Sequence, residues 1–92
     1  MTLWLQRHAP VLCAPGLCYG ATDHHAEDAA TRAAAGALAA VLPAEVAVWS
    51  SPLVRCRSLA QALAAVRPDL PPARIDPRLA EMDFGAWEGQ PW

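Results

Sequence analysis

Ninety-two residues with 54% hydrophobic side chains and a formal charge of −2 describe a single small folding unit, not a disordered chain. That charge excludes a general nucleic-acid binder, which carries a clustered basic surplus. All seven basic residues are arginine, with no lysine, so any cationic site is local, permanently charged and built from planar forks matched to phosphate oxygens.

The first element in chain order is a strand at Leu3 to Gln6. Its apolar residues run continuously instead of alternating, the pattern of a central strand in a parallel sheet covered on both faces. It ends on Arg7-His8, and strand ends in α/β proteins open onto the ligand crevice. A loop from Ala9 to Thr22 follows, punctuated by Pro10, Pro15, Gly16 and Gly20. Thr22 or Asp23 then offers a side-chain oxygen to cap an alanine-rich helix running to about Leu42, with Pro43 as its stop. The stripe Ala30, Ala34, Leu38, Val41 and Leu42 is small enough for close packing on a sheet.

Val46 to Trp49 is the second strand, in a strand-helix-strand order that favours parallel pairing. Ser51-Pro52 reads as N-cap and first position of a second helix, carrying Leu53, Leu59, Leu63 and Val66. Pro68, Pro71 and Pro72 break that helix, and Ala73 to Ile75 forms a third short strand. From Asp76 to Trp92 the chain reads as loop, anchored by Leu79, Phe84, Trp87 and Trp92.

Two strand ends therefore point the same way, one presenting Arg7 and His8, the other Ser51 and a helix with Arg55 in its first turns. A helix N-terminus near Pro52 and Leu53 and the Arg55 cation reinforce each other in attracting an anion. Arg57 lies round the helix and reads as surface.

No secretory signal precedes Arg7, and three cysteines, Cys13, Cys18 and Cys56, make an odd set. Together these predict reduced thiols in a cytoplasmic protein. No segment has the length of a membrane span. Cys13, Cys18, His24 and His25 can be drawn as a cluster, but their spacing matches no standard zinc template, so no metal site is expected.

Three ordered stretches carry a resemblance. Leu5-Gln6-Arg7-His8, Ser50-Ser51-Pro52-Leu53-Val54-Arg55-Cys56 and Leu79-Ala80-Glu81-Met82-Asp83-Phe84-Gly85-Ala86-Trp87-Glu88-Gly89 resemble signatures of the histidine phosphatase superfamily, which includes the cofactor-dependent phosphoglycerate mutases. The stretch Gly16 to Asp23 looks most like the α-ribazole phosphatase branch. The resemblance implies an α/β fold, a three-layer α/β/α arrangement on a mostly parallel sheet of the phosphoglycerate mutase-like kind, incomplete in this chain. It also implies a phosphomonoester hydrolase in which His8 is the nucleophile, Arg7 and Arg55 bind phosphate and Glu81 donates a proton. Phe84 and Trp87 would give Glu81 the apolar surround that suits a donor at neutral pH. Asp83 and Glu88 read as a turn residue and a surface carboxylate. Tyr19, Gly20 and Thr22, in the loop after the nucleophile, are candidates to line the substrate entrance, or else ordinary turn residues.

Two departures stand out. Ala9 occupies a position where the family usually has Gly. The family also needs a second catalytic histidine from a later strand, and this sequence has none after His25. Residues 1–92 therefore resemble the N-terminal part of one histidine phosphatase domain whose complete members are about twice as long, and little or no turnover is expected of this stretch alone. The expected ligand is a small phosphorylated metabolite, with no nucleic acid, membrane, metal or organic cofactor implied. Phosphoryl transfer of the mutase type, or non-catalytic binding of a phosphorylated ligand or partner, are the alternatives.

Overall fold

The computed structural model describes residues 2–13 and 15–92; Ala14, inside the loop expected after Arg7-His8, lies outside them. Two helices dominate, α1 at Asp28–Ala39 and α2 at Val54–Val66, with the short strands β1 at Trp49–Ser50 and β2 at Arg74–Ile75 on either side of α2. The strands pair in parallel, Trp49 against Arg74 and Ser50 against Ile75. This is an α/β arrangement in which α2 is the crossover of a β1–α2–β2 unit.

The expected unit thus forms one step further along the chain. Residues 3–6 form no strand, and Leu3 and Leu5 are 78% and 88% exposed. A strand holds its place through a ladder of bonds to a neighbour, and among the described residues no strand lies alongside this one. Apolar continuity predicts a central strand because it records what a segment is suited to bury, not whether a partner is present.

α1 starts about five residues later than the sequence implies. The side chains expected to cap it are committed elsewhere: the Thr22 hydroxyl donates to Glu88, and Asp23 accepts from the Val54 amide at 2.6 Å. Residues 24–27 instead run beside the loop, with Leu12 N–H donating to the His25 carbonyl and Glu27 N–H to that of Pro10, both at 2.7 Å. Glu27 becomes the cap, accepting from the Ala29 amide. At the far end Arg67 donates to the Ala39 and Leu42 carbonyls, each at 2.8 Å, satisfying carbonyls that a helix terminus leaves open. Asp69 pairs with the same guanidinium, which holds its carboxyl below the ordinary range.

The core lies between the helices. Ala35, Leu42, Leu59 and Leu63 are buried, with Ala34, Leu38, Ala39, Val46, Ala62 and Leu70 packed around them. Most of the expected α1 stripe takes part, but it packs on α2 and not on a sheet, and Val41 and Val66 are each 54% exposed. α2 begins after Leu53, with no side-chain cap of its own at that position, although Ser51 Oγ accepts from the Leu53 amide at 3.2 Å. The final stretch holds two 3-10 turns, Pro77–Leu79 and Gly85–Trp87. Of its expected anchors only Phe84 is even half-buried; Leu79, Trp87 and Trp92 are exposed.

Candidate active site

Three residues from distant points of the sequence meet at one place. His8 Nε2 lies 3.2 Å from Glu81 Oε1, and Arg55 Nη2 lies 3.4 Å from Glu81 Oε2. One carboxylate therefore joins the imidazole to the guanidinium. The His8 side chain is 5% exposed and that of Arg55 0%, whereas Glu81 stands 40% exposed at the mouth. The polar partners of Glu81 are His8 and Arg55, and Trp87, expected to help shield it, is itself 67% exposed.

His8 is oriented by its own backbone. Nδ1 lies 2.7 Å from the Ala9 carbonyl, and a carbonyl only accepts, so Nδ1 carries the proton. Nε2 is left facing Glu81 Oε1, and the hydrogen bond between them requires one proton, on either atom.

Arg55 is buried at no exposure, which is tolerable for a charge only when its donors are occupied. Nη1 donates to the Thr22 carbonyl at 2.7 Å and Nη2 to the Gly20 carbonyl. The guanidinium carbon sits 5.2 Å from the centre of the Tyr19 ring, a cation–π distance. His24 packs edge-on with Tyr19 at 5.8 Å between ring centres. One donor of the fork, Nε, is buried without a partner among the described residues.

At the helix N-terminus the Val54 amide is already taken by the Asp23 carboxylate and that of Leu53 by Ser51, so an anion held there is a side chain of the protein itself. Arg57 is exposed, as expected.

Arg7 is exposed. With His8, Pro10, Val11, Leu17 and Tyr19 it lines a cleft of about 530 Å³. Tyr19 thus contributes to both the cleft and the Arg55 stack. Gly20 is buried and Thr22 exposed, and their backbone carbonyls serve Arg55.

Glu88, expected on the surface, is instead half-buried and central. Its Oε1 accepts from the Gly20 amide at 3.1 Å, the Thr22 amide at 3.0 Å and the Thr22 hydroxyl. Its Oε2 accepts from the Phe84 amide at 3.2 Å. Led by the Thr22 hydroxyl bond, these donors hold its carboxyl at about 2, far below the ordinary 4.5. The charge reaches Cys18, whose thiol is pushed up first by burial and then by Glu88. The sequence signal for this role is a carboxylate set between Gly85 and Gly89, both at positive φ (61° and 80°), which curls the segment back on the Phe84 amide. Gly20 is equally constrained: a Cβ there would run into the Met82 carbonyl oxygen and lie 2.8 Å from the Phe84 ring.

With this geometry in view, residues 3–92 match the model of the histidine phosphatase superfamily (branch 1), and the chain belongs to that superfamily. Among solved structures it is similar to the Thermus thermophilus protein TTHB049, at 33% identity and a TM-score of 0.74, covering 94% of this chain and 46% of that one. It is also similar to the mycobacterial glucosyl-3-phosphoglycerate phosphatase, at 27% identity and a TM-score of 0.77, covering 91% and 40%. A protein described as mycobacterial hydrolase 1 aligns at 26% identity and a TM-score of 0.79, covering 91% and 40%. The chain thus spans less than half the length of these structures and shares their partial α/β fold. No curated protein matches it. No helix among the described residues is long and apolar enough to cross a membrane.

Proposed function

We propose that this chain carries the nucleophile, a phosphate-holding arginine and the proton donor of a phosphomonoester hydrolase that works through a phosphohistidine. The observation that carries the reading is the convergence of His8, Arg55 and Glu81 on shared contacts of 3.2 and 3.4 Å from three separate sequence signatures. Likeness to a phosphatase of solved structure favours hydrolysis over mutase-type transfer, whereas membership of the superfamily accommodates both.

The chemistry follows from the hydrogen bonds. With Nδ1–H fixed on Ala9, Nε2 is the nitrogen free to attack once the shared proton resides on Glu81. That one proton shift both bares the nucleophile and loads the acid. Attack forms the Nε2–P bond and breaks the bond from phosphorus to the alcohol oxygen, which takes the Glu81 proton as it leaves. Water then adds to phosphorus as its proton passes to Glu81, the Nε2–P bond breaks, and phosphate departs. Arg55 holds the non-bridging oxygens, its unpartnered Nε supplying a buried donor, and Arg7 adds charge from the cleft side. Phosphoryl transfer depends mainly on such positioning and charge stabilisation. The alcohol portion of a small phosphorylated metabolite occupies the cleft beside His8, against Tyr19.

A second reading, phosphoryl-ligand binding without turnover, draws on the buried Arg55 fork and on Arg7 in the cleft beside His8. Incubation with a ³²P-labelled acyl phosphate distinguishes the two. The hydrolase reading expects acid-labile, base-stable label on wild type and none on His8→Ala. Absence of label, with phosphate bound equally by wild type and His8→Ala, favours binding alone.

A further inference from the structure

Glu88 touches neither His8 nor Glu81 through any hydrogen bond among the described residues, yet it is the most heavily bonded carboxylate beside the site. Its oxygens collect three backbone amides and one hydroxyl. Two of those amides belong to Gly20 and Thr22, the residues whose carbonyls hold the Arg55 guanidinium. The peptide groups of residues 20–22 are thus gripped from two sides, N–H groups by Glu88 and carbonyls by Arg55. The packing leaves little room for any other path, because Gly20 lies against the Met82 carbonyl and the Phe84 ring too closely for a side chain.

From this we propose that Glu88 is a positioning residue: through the Gly20–Thr22 loop it sets the orientation of the Arg55 fork, and so the strength with which the site holds phosphate. The proposal rests on the phosphate-binding role assigned to Arg55 above. Arg55 alone does not fix its fork, since a guanidinium is free to turn about its stem, and Nε, the one donor left without a partner among the described residues, must be aimed at the oxyanion. The two carbonyls fix the plane of the fork, and Glu88 fixes the carbonyls. Because the carboxyl titrates near 2, the grip is fully charged at neutral pH and needs no proton to be set.

Glu88→Gln keeps the size of the side chain and one accepting oxygen, but turns an NH2 group toward either the Phe84 amide or the loop amides, setting donor against donor. Thr22→Val removes one donor from the other side and retains the backbone. The experiment measures inorganic phosphate binding to the 92-residue chain by calorimetry, together with the Arg55 Nε–H signal in ¹⁵N–¹H spectra, for wild type, these two variants and Arg55→Lys. The expected result is phosphate binding lost in Arg55→Lys and weakened roughly tenfold in Glu88→Gln and Thr22→Val, with the Nε–H signal displaced or broadened in both and helical circular dichroism retained. If Glu88→Gln fails to fold, Thr22→Val alone carries the comparison.

A purely structural Glu88 would lower stability but leave phosphate affinity and the Nε–H signal of the folded fraction as in wild type. That outcome, with Arg55→Lys still losing phosphate, overturns the inference and leaves the functional reading standing. Wild-type phosphate affinity in Arg55→Lys overturns the functional reading and the inference with it.

Discussion

Leu63 on α2 and Leu5 near the start of the chain are the same side chain, 4% exposed in one place and 88% in the other. Leu63 belongs to a helix whose partner is supplied by the chain just before it, α1, tied down at its end by Arg67. Leu5 belongs to a segment that can only be buried by a ladder on its flanks and helices on its faces. The contrast teaches that an amphipathic helix pair closes locally, whereas a central strand is stable only within a sheet assembled from distant sequence. The polar site follows a third route. It is also assembled from distant sequence, but it is held by directional bonds, with His8, Arg55 and Glu81 joined through one carboxylate and the 20–22 loop through another.

The largest effect is expected where the polar route is cut. Arg55→Ala leaves the Gly20 and Thr22 carbonyls without their donor and Glu81 without its cation. The expected cost is about 4 kcal/mol of stability, read by urea unfolding, with loss of phosphate binding. Leu63→Ala tests the helix pair and is expected to cost about 3 kcal/mol through the cavity it leaves, without a change in phosphate affinity per folded molecule.

Acid probes the loop clip next. The Glu88 carboxyl is depressed from 4.5 to about 2, so its contribution is complete above pH 4.5, fades below that and is gone once pH falls through about 2. Stability followed by circular dichroism should decline across that window in wild type and decline less in Glu88→Gln. The smallest effect is expected at the exposed segment. Leu5→Ala should change stability by less than about 0.5 kcal/mol, and Leu5→Lys should reduce self-association in sedimentation, because exposed apolar backbone is a template for edge pairing. A loss at Leu5 as large as that at Leu63 would erase the contrast.

How far the sequence foretells this arrangement varies by residue. The helices are readable because a 3.6-residue stripe both marks a helix and names its buried face, although its partner, α2 and not a sheet, is not. The short strand within Ala73 to Ile75 is readable from its place after the proline-broken helix, whereas its parallel partner is seen only in the fold. The start of α1 is misread because Thr22 and Asp23 are good caps locally, and only the fold shows that Glu88 and the Val54 amide claim them first. His8, Arg55 and Glu81 are legible as members of ordered signatures. Glu88 sits in the same signature, yet a lone carboxylate in a loop looks solvated until the glycine-directed turn that buries it is seen. Trp87 and Trp92 look like anchors because large apolar residues usually bury, and here they stay exposed.

The central claim is that one oxyanion is gripped by His8 and Arg55 together. A titration with vanadate, a mimic of a phosphoryl group in transfer, followed by ¹⁵N signals of the His8 ring and of Arg55 Nε, tests it most directly. The account predicts that His8 Nε2 and Arg55 Nε shift together along one saturating curve while His8 Nδ1, held on Ala9, stays in place. Saturation that moves Arg55 but leaves His8 Nε2 untouched, or moves neither, would contradict it.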